Sequence, residues 1–129
     1  MKEIVKKLLN NLVSKYPFAL STMNPPANQD EIKELQGIIN IELPQDFFDL
    51  YMNHNGQKSD QPGYIFGFPL LPLDGIINLW KDWATIIDNE SDEGMKELSE
   101  FCKCKSGRSI KPIYANKKWI PITHDWAGN

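Results

Sequence analysis

The sequence predicts an α+β domain, with helices packed against a small, mainly antiparallel sheet. Three observations lead there. Four stretches repeat apolar residues with helical period. The aromatic and β-branched run 64–71 and two stretches near the end, 109–115 and 118–123, have the composition of strands. The chain of 129 residues, 41% of them hydrophobic, suits one domain around one core, because a chain this long buries about two-thirds of its unfolded surface without needing a disulfide or metal staple.

From Ile4 to Val13, the residues Ile4, Val5, Leu8, Leu9, Leu12 and Val13 recur at steps of three and four. They form one side of an amphipathic helix, which should stop near Tyr16 because Pro17 pushes the residue before it towards extended geometry. Pro25 and Pro26 stiffen a linker, after which Asn28 and Glu31 stand in capping-box register. The helix they open carries Ile32, Leu35, Ile38 and Ile39 as its buried stripe. Gly37 within it is unfavourable by roughly 1 kcal/mol relative to Ala, so it either permits close helix packing or marks a loose last turn. Asn40 is the expected left-handed stop. Leu43 and Pro44 begin a third helix, in which Phe47, Leu50, Tyr51 and His54 share a face, and Asn55-Gly56 ends it.

A polar loop, 57–63, precedes Tyr64-Ile65-Phe66-Gly67-Phe68 and Leu70-Leu71, where Pro69 and Pro72 restrict any strand to short or edge pieces. Asp74 is placed to cap a fourth helix carrying Ile76, Leu79 or Trp80, Trp83 and Ile86 or Ile87. The next stretch is acidic: Asp88, Glu90, Asp92, Glu93, Glu97 and Glu100 face only Lys96. Lys103, Lys105, Arg108, Lys111, Lys117 and Lys118 follow with no acid among them. The last two strands, joined by a turn at Asn116-Lys117, read as an antiparallel hairpin.

Three stretches in this order resemble the SUKH superfamily, which contains fungal cell-wall assembly regulators and bacterial immunity proteins. They are Pro25-Pro26-Ala27 leading into Glu31-Ile32, Leu43-Pro44 running to Asn55-Gly56, and Trp119-Ile120-Pro121-Ile122 ahead of Asp125 and Gly128-Asn129. The resemblance implies a single SUKH-like domain over 1–129. Gln36 and Asn40 stand where the family usually has Glu and Gly. The family pattern also continues beyond Gly-Asn into two further strands and a helix, so the domain reads as C-terminally truncated. An open hairpin edge would then invite self-association with another copy.

The resemblance implies binding without catalysis: an immunity-type protein that occludes the active site of a toxin domain or, alternatively, a cell-wall-type regulatory scaffold with several endogenous partners. Small-enzyme and nucleic-acid-binding readings are the rivals from other classes. A formal charge of −3 removes any general attraction to polyanions or to an anionic membrane, and no long apolar run suggests a span. The basic run near Tyr114 and Trp119 could grip a nucleic-acid backbone, but neutralisation by the preceding acids is its simpler use. Cys102 and Cys104 are too close for an unstrained disulfide and lack the spacing of a redox or zinc pair, which points to the cytoplasm. His54 and His124 are the only histidines, and neither has a nucleophile or chelating partner at diagnostic spacing. No cofactor or metal is expected. Trp126, in a terminal turn, has less reason to be buried than Trp80 or Trp83 and suits an interface anchor. The candidate partner-binding residues are therefore Asn55, Gly56, Phe66, Trp119, Asp125, Trp126, Gly128 and Asn129, flanked by Asp88, Glu90, Asp92 and Glu93.

Overall fold

The computed structural model describes residues 2–102 and 113–125. Among the described residues five helices follow in order: α1 (Lys2–Lys15), α2 (Gln29–Ile39), α3 (Gln45–Tyr51), α4 (Leu73–Asn89) and α5 (Asp92–Glu100), with a 3-10 turn at Ala19–Thr22 between the first two. The ends of α2 follow the sequence closely. Asn28 accepts from the Asp30 and Glu31 N–H groups, the Glu31 carboxylate accepts from the Asn28 N–H, and Asn40 sits left-handed at φ 52°.

Other ends differ. α3 stops at Tyr51, which leaves His54 beyond it, and Gly56 rather than the helix end carries the positive φ, at 69°. Asp74 does not cap α4. Pro72 occupies the cap position, and the Leu73 N–H is satisfied by the Asn55 side chain 18 residues upstream, at 2.8 Å. The acidic stretch includes a helix of its own, α5, opened by Ser91 accepting from the Gly94 N–H.

The core lies where α2 packs against α3 and α4. Ile32, Leu35 and Ile39 meet Leu43, Phe47, Tyr51, Leu73 and Ile76, closed from the loop side by Leu70 and Leu71. Tyr51 is fully buried, stacks on Phe47 with centroids 4.3 Å apart, and donates its hydroxyl proton to the Leu71 carbonyl at 2.9 Å. Burial pushes its phenol well above the ordinary value. Gly37 faces open space, so helix packing does not account for it.

The expected sheet is not formed, and the α+β reading is corrected to a predominantly helical fold: the described residues contain isolated bridges and no strand. Each stretch with strand composition has a physical reason to fail. Ile65 and Phe68 exchange both backbone hydrogen bonds across Phe66 (φ 53°) and Gly67 (φ 90°), a two-residue I′ turn that folds the run back on itself. Pro69, Pro72 and Pro121 have no N–H to donate, and the Leu70 N–H is taken by the Gln57 side chain. The segment 113–125 touches the Leu70–Leu71 region through one bridge, Leu70 with Thr123, and through Leu71 N–H to the Ile122 carbonyl. Its Asn116–Trp119 turn is present, without strands on either side among the described residues. Self-association through an open hairpin edge therefore has no basis in those residues. Residues 109–112 of the proposed hairpin lie outside them.

Candidate functional site

Two adjoining clefts straddle the start of α4 and share Asn24, Pro72 and Asp74. One, of about 630 Å³, is walled by Pro25, Pro26, Glu31, Glu34, Asn55, Leu73 and Ile77. The other, of about 500 Å³, is walled by residues 57–60, 69–71, Gly75, Asn78 and His124. Prolines at positions 25, 26, 69 and 72 give the groove stiff, donor-poor edges. Its formal charges are Glu31, Glu34, Asp60 and Asp74 against Lys58, whose ammonium donates to the Ser21 carbonyl at 2.7 Å. The groove is thus acidic, with apolar floor positions at Leu70, Leu71, Leu73 and Ile77.

A network of amides holds this groove in shape. The Asn24 side chain donates to the carbonyls of Asn55 and Gln57, at 2.9 and 3.1 Å, and the Asn24 N–H donates to the Gly56 carbonyl. Gln57, almost completely buried, accepts the N–H groups of Leu70 and Tyr64 on its side-chain oxygen and donates its amide to the Pro62 carbonyl. Burying an amide is tolerable only when its polar atoms are satisfied, and here both are. Gly56 sits so tightly against residues 71–72 that a Cβ would meet the Leu71 carbonyl carbon at 2.5 Å.

The residues singled out from sequence do not converge on one groove. Asn55 lines the larger cleft, but Gly56 is buried beneath it as a fastening. Phe66, 97% exposed, lines a separate cleft with Leu12, Tyr16 and Tyr64. Trp119 is 38% exposed and meets Trp83 edge-on at 6.4 Å, while Trp80 donates its indole N–H to the Lys117 carbonyl. Asp88 pairs with the Lys117 ammonium, so one acid of the run does neutralise a base of the same fold. Glu90, Asp92 and Glu93 lie exposed at the α4–α5 junction and on α5. Asp125 follows His124, which lines the smaller cleft. Trp126, Gly128 and Asn129 lie outside the described residues, as do Cys104 and most of the basic run.

The histidines have plain surroundings. His54 Nδ1 contacts the Asn24 carbonyl at 3.2 Å, and His124 Nδ1 contacts the Asp125 carbonyl. Among the described residues no group of three or more His, Cys, Asp or Glu side chains could hold a metal, and no helix is long and apolar enough to cross a membrane. Gln36 accepts the Leu43 N–H at 2.7 Å, a task that needs an acceptor and no charge. Sequence reasoning missed Asn24 and Gln57 altogether, since both stand in proline- and glycine-punctuated loops where no periodicity marks a buried side chain.

The chain is similar to the cell wall assembly regulator SMI1 of Saccharomyces cerevisiae, 22% identical with 84% of this chain and 27% of that protein covered. It is also similar to the glucan synthesis regulatory protein of Neurospora crassa, 22% identical over 88% of this chain and 27% of that protein. A KNR4/SMI1 homolog of Yarrowia lipolytica is 25% identical over 88% of this chain and 22% of its own length. The chain thus spans about a quarter of the length of these relatives. Residues 26–129, which include the α2–α4 core and the groove residues other than Asn24 and Pro25, match the SMI1 / KNR4 family (SUKH-1), and the chain belongs to that family.

Proposed function

We propose that the chain is a non-catalytic regulatory binding module of the cell-wall-assembly type, working in the cytoplasm and engaging protein partners through the groove at the start of α4. The observation that carries this reading is the groove itself: preformed, acidic and walled by four prolines over an apolar floor. Such a surface fits an extended basic segment, whose charges meet Glu31, Glu34, Asp60 and Asp74 while one or two apolar side chains reach Leu71 and Ile77. The regulators among its relatives support a role in assembly control rather than turnover of a substrate.

The test compares the wild-type chain with Glu34→Lys/Asp74→Lys in affinity capture from the native host, followed by titration of each captured protein against both. Retention of cell-wall synthesis or regulatory proteins by wild type alone, with at least tenfold weaker binding to the double variant, is the expected result. Equal binding by both would refute the groove. Immunity to a toxin remains a second reading, favoured by the exposed acids Glu90, Asp92 and Glu93, which would complement a basic catalytic cleft. Capture of a toxin domain whose binding is lost on reversing those three acids would replace the first reading by the second.

A further inference from the structure

The first 22 residues hold four lysines and one glutamate in a chain whose formal charge is −3. On α1 the row Ile4, Leu8, Leu12 runs at four-residue spacing beside the row Lys7, Asn11, Lys15 and is continued just past the helix by Tyr16, whose N–H still donates to the Leu12 carbonyl. Ile4, Leu8 and Tyr16 are each more than half exposed, so the outer half of this apolar face has no covering partner among the described residues. The row leads into a cleft of about 470 Å³ lined by Leu12, Tyr16, Pro62, Tyr64 and Phe66, and the Tyr16 and Tyr64 rings meet at 5.7 Å. Phe66 at its rim combines near-total exposure with a left-handed φ of 53°, a conformation unfavourable for a side chain of that size. The charged groups on the elements forming the cleft are Lys6, Lys7, Lys15 and Lys58, with Asp60 in the loop and Glu3 at the far end of α1.

The opposite description fits α5. Glu93, Glu97 and Phe101 follow at four-residue spacing on one face, with Glu100 beside them, and Phe101 is 88% exposed. Phe101 ends an acidic stripe just as the Tyr16–Tyr64 cleft ends a basic one. With Phe101 in the cleft, Glu97 and Glu93 lie one and two helical turns away, and Lys7 lies about two turns from Lys15. We propose that this cleft is an interface for a second copy of the chain, filled by Phe101 and the acidic face of its α5. The contact is heterologous, joining different surfaces of two copies, and so permits chains longer than a dimer. Phe66, Phe101, the α1 lysines and the α5 acids line neither part of the α4 groove, and the contact does not rest on the function proposed for that groove.

Sedimentation velocity over a concentration series, at low salt and at about 0.5 M salt, tests this. Wild type should associate with rising concentration and dissociate at high salt. Phe66→Ser and Phe101→Ser should each weaken association at least tenfold with unchanged circular dichroism and melting temperature. Two charge reversals decide the pairing: Lys7→Glu/Lys15→Glu and Glu93→Lys/Glu97→Lys should each be monomeric alone and should associate when mixed. A wild-type chain that stays monomeric at millimolar concentration in low salt overturns the proposal. So does association that survives both phenylalanine variants, or failure of the two charge-reversed proteins to pair. Binding to anionic phosphatidylserine vesicles by a protein that remains monomeric would assign the surface to a membrane instead.

Discussion

Residues 27–51 and 73–76 hide aliphatic and aromatic side chains with Asp49 as a charged exception, whereas residues 53–72 hide, besides Leu70 and Leu71, a glutamine, a glycine and a series of backbone amides. The first region is held by apolar area, which is non-directional, so a side chain of similar volume can replace the native one at modest cost. The second is held by directed hydrogen bonds and by two contacts too close for a methyl group, Gly56 against residues 71–72 and Gly63 against residues 68–69. There a substitution that preserves size but not polarity strands its partners. Substitutions in the connection should therefore be less forgiving than substitutions of equal size in the helical core, even though the connection contains no regular element of its own.

The sharpest way to break that comparison is Gly56→Ala. Positive φ and a 2.5 Å approach to the residue 71–72 backbone act together, and the loss should be about 3–5 kcal/mol by urea denaturation. A loss under about 1 kcal/mol would mean that the connection can shift to make room.

Next comes Gln57→Leu, which keeps the volume but leaves the N–H groups of Leu70 and Tyr64 and the Pro62 carbonyl without their partner. A loss of about 2–3 kcal/mol is expected. The core control, Leu35→Met, should cost under about 1.5 kcal/mol. Similar losses in the two variants would erase the distinction between the regions.

Tyr51 joins them, since its ring stacks in the core and its hydroxyl holds the connection through the Leu71 carbonyl. Tyr51→Phe should cost about 1–2 kcal/mol. It should also change the alkaline limb. Burial raises the folded-state pKa of the phenol above its ordinary value near 10, so the stabilisation is complete below about pH 10 and is lost as pH climbs towards the raised value. Stability measured between pH 9 and about 11.5 should thus fall more steeply for wild type than for the Phe variant. The smallest effect is a gain: Gly37→Ala, in open space on α2, should stabilise by about 0.5–1 kcal/mol, measured as a higher melting temperature.

Much of α2 was legible before any coordinates, because a capping box, an apolar stripe and a left-handed Asn are local signals that agree with one another. The start of α4 was misplaced because its first N–H is satisfied by Asn55, a partner no local pattern can announce. The strand composition of 64–71 was real, but composition reports only that a side chain suits a pleated surface. Whether a neighbour is free to pair depends on which amides are already taken, and here Gln57 and three prolines had removed them. Phe66 was expected beside Asn55, but it is almost fully exposed in a different cleft, and nothing in the sequence separates the two in space.

Spacing and residue type along the chain were enough to read α1 to α4, the core face of α2, the segregation of basic and acidic segments and the family resemblance, but not α5 or the exposure of Ile4 and Leu8 on α1. Tertiary contacts alone settled that the apparent strands would not pair, that the amides of Asn24 and Gln57 would shape the groove, and that the chosen site residues would fall in different places. Those outcomes turn on which hydrogen-bonding groups meet across long stretches of chain, and such meetings have no period to read.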